Sequence, residues 1–296
     1  MSGPLRSRRG RAFSSFALLL FVALLLLPGC TAELAIIATP VSAQLFQREE
    51  LDAARAAGLG RVIVVAPGDP AKPGIMRPGI GGETRLLIFP EVAPEEIAAI
   101  EAGGRLFFRV ARREGGERDL ILDRRPAFRA LGELLTERAA DLLEESGEAA
   151  DTITVRLFAL QGSGSRVEEM QALLEPLRRS LPPEAILVEE VATGFTVAAI
   201  EERLREAREG DPILLFLGSA GAELFPQVVG GGRIVATEAL FVPPEAEPLE
   251  GPEAGDLLLL GLDPLTLFEA ALAGEGGAIE ASLYRLRDPF GDEVPR

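Results

Sequence analysis

The sequence contains no histidine, no tryptophan, one cysteine and one tyrosine. Without histidine there is no Ser-His-Asp triad, no Cys–His pair and no imidazole for a zinc site, so carboxylates are nearly all that remains for chemistry. A single cysteine excludes an intramolecular disulfide, and the fold must rest on its core. Lysine occurs once, at Lys72, so arginine supplies almost all the positive charge. Bases are outnumbered, 30 Lys plus Arg against 46 Asp plus Glu, and the formal net charge is −16. That balance excludes sustained binding to a nucleic-acid backbone.

What is present is apolar mass. The chain has 296 residues, 47% of them hydrophobic and 26% charged, which is enough to bury a core as one large domain or two lobes and excludes global disorder. Residues 1–29 read as a secretion signal: Arg6, Arg8, Arg9 and Arg11 precede the apolar run Phe16 to Leu27, which is too short to be a comfortable membrane span. The run ends in Leu27-Pro28-Gly29-Cys30, which resembles the bacterial lipobox, whose cysteine is lipidated and becomes the mature N-terminus. The only cysteine stands at the one position this reading requires. The alternative is an uncleaved anchor helix with an incidental free thiol. Cleavage removes four arginines and no acid, leaving 26 bases, 46 acids and a net charge of −20. Acyl chains such as palmitate, not electrostatics, would then hold the chain on an anionic membrane. Only Thr31 and Ala32 separate this anchor from Glu33, where the first strand-like stretch begins, so the folded body is expected close to the bilayer.

From Leu34 onward, short apolar runs alternate with helical spacing. Leu34 to Thr39, Arg61 to Ala66, Leu86 to Phe89 and Leu106 to Val110 read as buried strands, with helices over Gln47 to Ala57 and Pro94 to Ala102. Asp69 to Gly82, rich in Pro and Gly, reads as a loop. The pattern then repeats. Leu120 to Leu122 leads into a helix from Pro126 to about Glu145. Strands are expected over 153–159, 186–191, 213–217, 233–237 and 256–261, and helices over 167–180, 196–208 and 265–273. Pro243 to Glu253 reads as a polar loop, and Ile279 to Leu286 as one edge strand or a frayed helix. Asp263-Pro264 fits a helix N-cap with Pro at the first helical position. Alternating β and α units predict an α/β fold with a doubly wound, mostly parallel sheet in each of two lobes. The expected division is a signal peptide over 1–29, an N-terminal lobe over 30–123 that 264–296 could complete, and a C-terminal lobe over 124–263.

Three places carry a family resemblance: Ala38-Thr39-Pro40 at the end of the first strand, Thr154 to Arg166 (TVRLFALQGSGSR) opening the second half, and Arg233 to Leu240 (RIVATEAL) late in the chain. With the order and spacing of the elements, they make the mature chain resemble a type I periplasmic binding protein, the bilobed fold of solute receptors of ABC importers and of some sensory receptors. The resemblance implies two three-layer lobes closing on a small polar ligand, with no cofactor. Two features depart from the family: no Asp stands near Glu238, and no Trp is available to stack on a sugar ring, which weakens the sugar-receptor subclass.

In open α/β sheets, ligands bind outside the carboxyl ends of the strands, beside helix N-termini. That rule selects Thr39, Ser42 and Phe46 after the first strand, Arg109 at the end of the fourth, and Gln161, Ser163, Ser165 and Arg166 in the second half. Phe195, Gly218, Ser219, Thr237 and Glu238 complete the set of candidate ligand residues. Ser165 with Glu168 also matches a capping box, a structural role that coexists with binding. Gly218-Ser219 is equally a plain turn, and Phe46, Phe195 and Phe241 are the kind of residue usually found in cores. Glu238 reads either as a carboxylate for a ligand ammonium or as a solvated loop acid. The expectation is a non-enzymatic, lipid-anchored, extracytoplasmic solute-binding protein of the cell envelope, lipidated at Cys30, serving an ABC permease or a membrane sensor. The alternative is a structural or protein-interaction lipoprotein with a degenerate cleft. Glutamate pairs such as Glu95-Glu96 lie on polar helical faces and do not argue for hydrolysis. No metal-binding loop is recognisable.

Overall fold

The computed structural model describes residues 34–38, 62–65, 84–89, 92–104, 106–111, 116–146, 155–160, 167–191, 213–216, 233–243, 245–251, 253, 255–274 and 276–287, with Glu202, Arg205, Pro226 and Val228 as isolated positions. Its first half is built from runs too apolar to face water on either side. β1 (Leu34–Ile37), β2 (Val62–Val65), β3 (Arg85–Ile88), β4 (Phe107–Ala111) and β5 (Asp119–Asp123) join β12 (Gly277–Glu280) in one sheet of order β12-β5-β4-β3-β1-β2. Every pairing in this sheet is parallel. A parallel sheet must be covered on both faces, and two clusters do so. Ala35, Ile37, Leu86, Ile88 and Phe107 pack with Ile100 of α1 (Pro94–Ala102). Leu34, Ile36, Leu87, Phe108 and Leu120 pack with Leu267, Phe268 and Ala271 of α4 (Pro264–Ala273).

The second sheet follows the same logic. β6 (Val155–Leu160), β7 (Ile186–Val191), β8 (Ile213–Phe216), β9 (Arg233–Phe241) and β11 (Leu257–Leu262) are parallel neighbours, and β13 (Ser282–Leu286) and the two-residue β10 (Glu247–Pro248) add an antiparallel edge. The order is β10-β13-β11-β9-β8-β6-β7. α2 (Arg125–Ser146) and α3 (Val167–Ser180) cover one face through Phe128, Leu131, Leu135, Leu173 and Leu177. The two helices approach closely at Gly132, where a Cβ would stand 2.1 Å from the Leu173 carbonyl oxygen.

The architecture is therefore two mostly parallel α/β sheets, as the alternating pattern predicts. Three differences from the expected elements stand out. Ile279 to Leu286 is two strands rather than one element: β12 belongs to the first sheet and β13 to the second, and Ala281 between them is fully buried. β9 runs four residues past Thr237, to Phe241. The expected loop at Pro243 to Glu253 contains β10 and is pinned by Arg285, which donates to Glu247 at 3.2 Å and to the Gly251 carbonyl at 3.1 Å. Among the described residues, the chain passes between the sheets three times: at Arg124 between β5 and α2, at Asp263 between β11 and α4, and at Ala281. The helices expected over 47–57 and 196–208 lie outside the described segments, save Glu202 and Arg205, which are helical.

Candidate functional site

The three passages come together at the carboxyl end of the first sheet. Asp123 ends β5, and its carbonyl accepts from the Ala281 N–H at 2.8 Å. Its carboxylate takes the Arg125 backbone N–H at 3.0 Å and the Arg125 guanidinium at 2.8 and 2.6 Å. Between them Arg124 reaches across to β9 and donates to Glu238 at 2.6 Å. Glu238 is 7% exposed and Arg124 23%, so the pair is shielded from solvent and holds the first passage against the second sheet. At the second passage, the Asp263 side chain accepts from the Leu265 N–H at 3.0 Å and caps α4, with Pro264 at the first helical position. Beyond the third, half-buried Tyr284 has its phenol pKa pushed up by burial, with the charge of Asp263 adding to the effect.

Of the residues selected from the sequence, the described segments include Arg109, Thr237 and Glu238. Thr237 is buried on β9 opposite Leu259 of β11. Glu238 is neither a loop residue nor solvated; it lies on β9, opposite Leu260, with Arg124 as its cation. Arg109 stands in the middle of β4 rather than at its end. It makes a bidentate contact with Asp119 at 2.7 and 3.2 Å, and Asp119 also accepts from the Gly116 N–H at 2.7 Å. The reason is register: Arg109 lies directly opposite Asp119, the first residue of β5, so the guanidinium is used on the sheet face. Cys30, Thr39, Ser42, Phe46, Gln161, Ser163, Ser165, Arg166, Phe195, Gly218 and Ser219 lie outside the described residues. β1, β6 and β8 end at Ile37, Leu160 and Phe216, one or two residues upstream in the sequence of Thr39, Gln161 and Gly218.

Phe241 is a core residue. Its ring lies 6.2 Å from that of Phe89 and 6.4 Å from that of Phe268. Sequence reasoning missed Asp123, Arg124 and Arg125. The signal available was the Asp-Arg-Arg-Pro run at a strand-to-helix junction, where charged residues are unexpected between two buried elements. Among the described residues, no group of three or more acidic, Cys or His side chains is placed to hold a metal ion.

No protein-family model matches the chain, and no curated protein matches it. Solved structures do resemble it. An ABC transporter solute-binding protein from Mycobacterium smegmatis with bound glycerol is 16% identical with a TM-score of 0.43, over 90% of this chain and 98% of its own. A LacI-family transcriptional regulator from Enterococcus faecium with bound ribose is 11% identical with a TM-score of 0.44, over 87% and 99% of the two chains. A protein from Brachyspira murdochii, described as an ABC transporter, LacI-family transcriptional regulator, is 11% identical with a TM-score of 0.45, over 88% and 96%. The descriptions of these neighbours are those of LacI-family regulators and of an ABC transporter solute-binding protein.

Proposed function

We propose that the chain is an extracytoplasmic solute-binding lipoprotein, lipidated at Cys30, that takes a small polar ligand between its two sheets and presents the closed form to an ABC permease or a membrane sensor. The observation that supports it best is the join: two parallel α/β sheets connected by three adjacent chain passages, a construction that lets the bodies rotate about a few backbone residues. Ligand groups would meet the carboxyl ends of β1, β6 and β8, followed in the sequence by Thr39, Gln161 and Gly218. The function requires no bond-making and no metal, in keeping with a chain without histidine.

A second reading is favoured by one specific observation. Glu238 and Arg109 each have an internal partner of opposite charge. A lipoprotein whose cleft has lost its ligand and now serves protein interaction would show the same pairs. A thermal-shift screen separates the two readings. The mature chain, unfolded and refolded to strip carried-over solute, is tested against amino acids, nucleosides, sugars, small carboxylates and divalent ions. A ligand at about 100 times its Kd stabilises by about 2.7 kcal/mol, which in a chain of this size raises the midpoint by about 5 °C. A rise confined to one chemical class supports the solute receptor. Silence across the panel supports the interaction reading.

A further inference from the structure

The proposed anchor constrains how the body meets the membrane. Cys30 is four residues from Leu34, so even a fully extended tether places the acylated residue at most about 14 Å from the amino end of β1. Leu34 is 0% exposed, so β1 is inside the body from its first residue. Because the first sheet is parallel throughout, the amino ends of its six strands share one side. The connections that lead onward into the second sheet leave from the other side, at the carboxyl ends of β5 and β12.

The amino-end rim has its own chemistry. Arg85 opens β3, Glu117 and Arg118 precede β5, and Glu101 and Gly104 close α1 beside Leu106. Glu101, Gly104, Leu106 and Arg118 line an open groove of about 410 Å³. Leu106 is 42% exposed, a large apolar side chain facing solvent, and the Arg118 guanidinium lies 5.4 Å from the Phe107 ring centroid. A cation, a carboxylate and an apolar side chain together match a zwitterionic headgroup, with its phosphate on Arg118, its ammonium on Glu101 and Leu106 at the acyl boundary. Among the described residues of this rim the charges balance, Arg85 and Arg118 against Glu101 and Glu117. The mature chain as a whole carries −20 and is repelled by anionic lipid.

We propose that this rim of the first sheet rests on the bilayer against phosphoethanolamine headgroups, so that the body stands end-on with the second sheet outermost. The inference rests on the lipid-anchor reading. The two ends of α1 test it, because Ala93 at the amino end and Ala102 at the carboxyl end are both exposed and point to opposite ends of the sheet. Full-length chain carrying Ala93→Cys or Ala102→Cys is lipidated, checked by intact mass, reconstituted in phosphatidylethanolamine vesicles and labelled at the new thiol. A headgroup-attached quencher then reads proximity. The label at position 102 is expected to be quenched several times more strongly than that at 93, and Arg118→Ala with Glu101→Gln should at least halve the difference.

Acylated protein with equal quenching at both positions, or stronger quenching at 93, overturns the orientation and leaves the anchor standing. A difference that survives the double substitution overturns headgroup binding in the groove. Absence of acyl mass at Cys30 overturns the anchor, and the orientation falls with it.

Discussion

A charged pair at a chain passage does more than a surface ion pair, because here the carboxylate is largely shielded from water when its guanidinium is lost. The Glu238 side chain is 7% exposed, and Arg124 supplies the opposing charge from the first passage. Replacing Arg124 with alanine leaves a buried carboxylate without its guanidinium, and breaking buried pairs in this way costs about 3 kcal/mol. The expected outcome is a loss of about 2–3 kcal/mol for Arg124→Ala in denaturant unfolding, with part of it recovered in Arg124→Ala/Glu238→Ala. Additive losses in the double variant would mean that the pair is not coupled. Arg109 and Asp119 should respond less: Arg109 is 41% exposed, so water screens the remaining charge when its partner is removed.

At the scale of elements, α2 and α3 approach closely in the second body. Gly132 sits on α2 where a Cβ would meet the backbone carbonyl of Leu173 at 2.1 Å, and a backbone atom cannot swing aside. Gly→Ala in an open helix gains about 1 kcal/mol. Here the helices must separate instead, and the expected result for Gly132→Ala is a net loss of about 1–2 kcal/mol with helix content unchanged by circular dichroism. A gain would show that the α2–α3 contact is looser than the structure has it. Most elements were legible beforehand, because buried parallel strands and helices differ in run length and period: α3 and β7 fall at the expected residues. Ile279 to Leu286 was not legible as two strands. Alternation looks the same in either sheet, and the switch at Ala281 depends on a bond to Asp123, far earlier in the chain. The Arg124–Glu238 pair was hidden for the same reason, its members being 114 residues apart. β9 overran its expected end because Glu238 to Phe241 contains no turn residue to stop it.

For the whole molecule, the question is whether two sheets mean two folding units. Three passages tie them together, and the end of β9 crosses the division between them: Phe241 belongs to a second-sheet strand yet packs with Phe89 after β3 and Phe268 on α4, in the core of the first sheet. Val242, the next residue, donates its N–H to the Leu262 carbonyl at 3.1 Å, at the end of the neighbouring strand. A body whose core is completed by a side chain from the other sheet cannot lose one sheet and keep the other intact. Calorimetry of the full chain should therefore give one endotherm. Truncating a buried Phe to Ala costs about 3–5 kcal/mol, so Phe241→Ala should move that single peak down by about 10 °C without dividing it. Two endotherms in the parent chain, or a second peak that stays in place in Phe241→Ala, would mean that the sheets melt independently. Ligand closure would then have to act through the three passages alone.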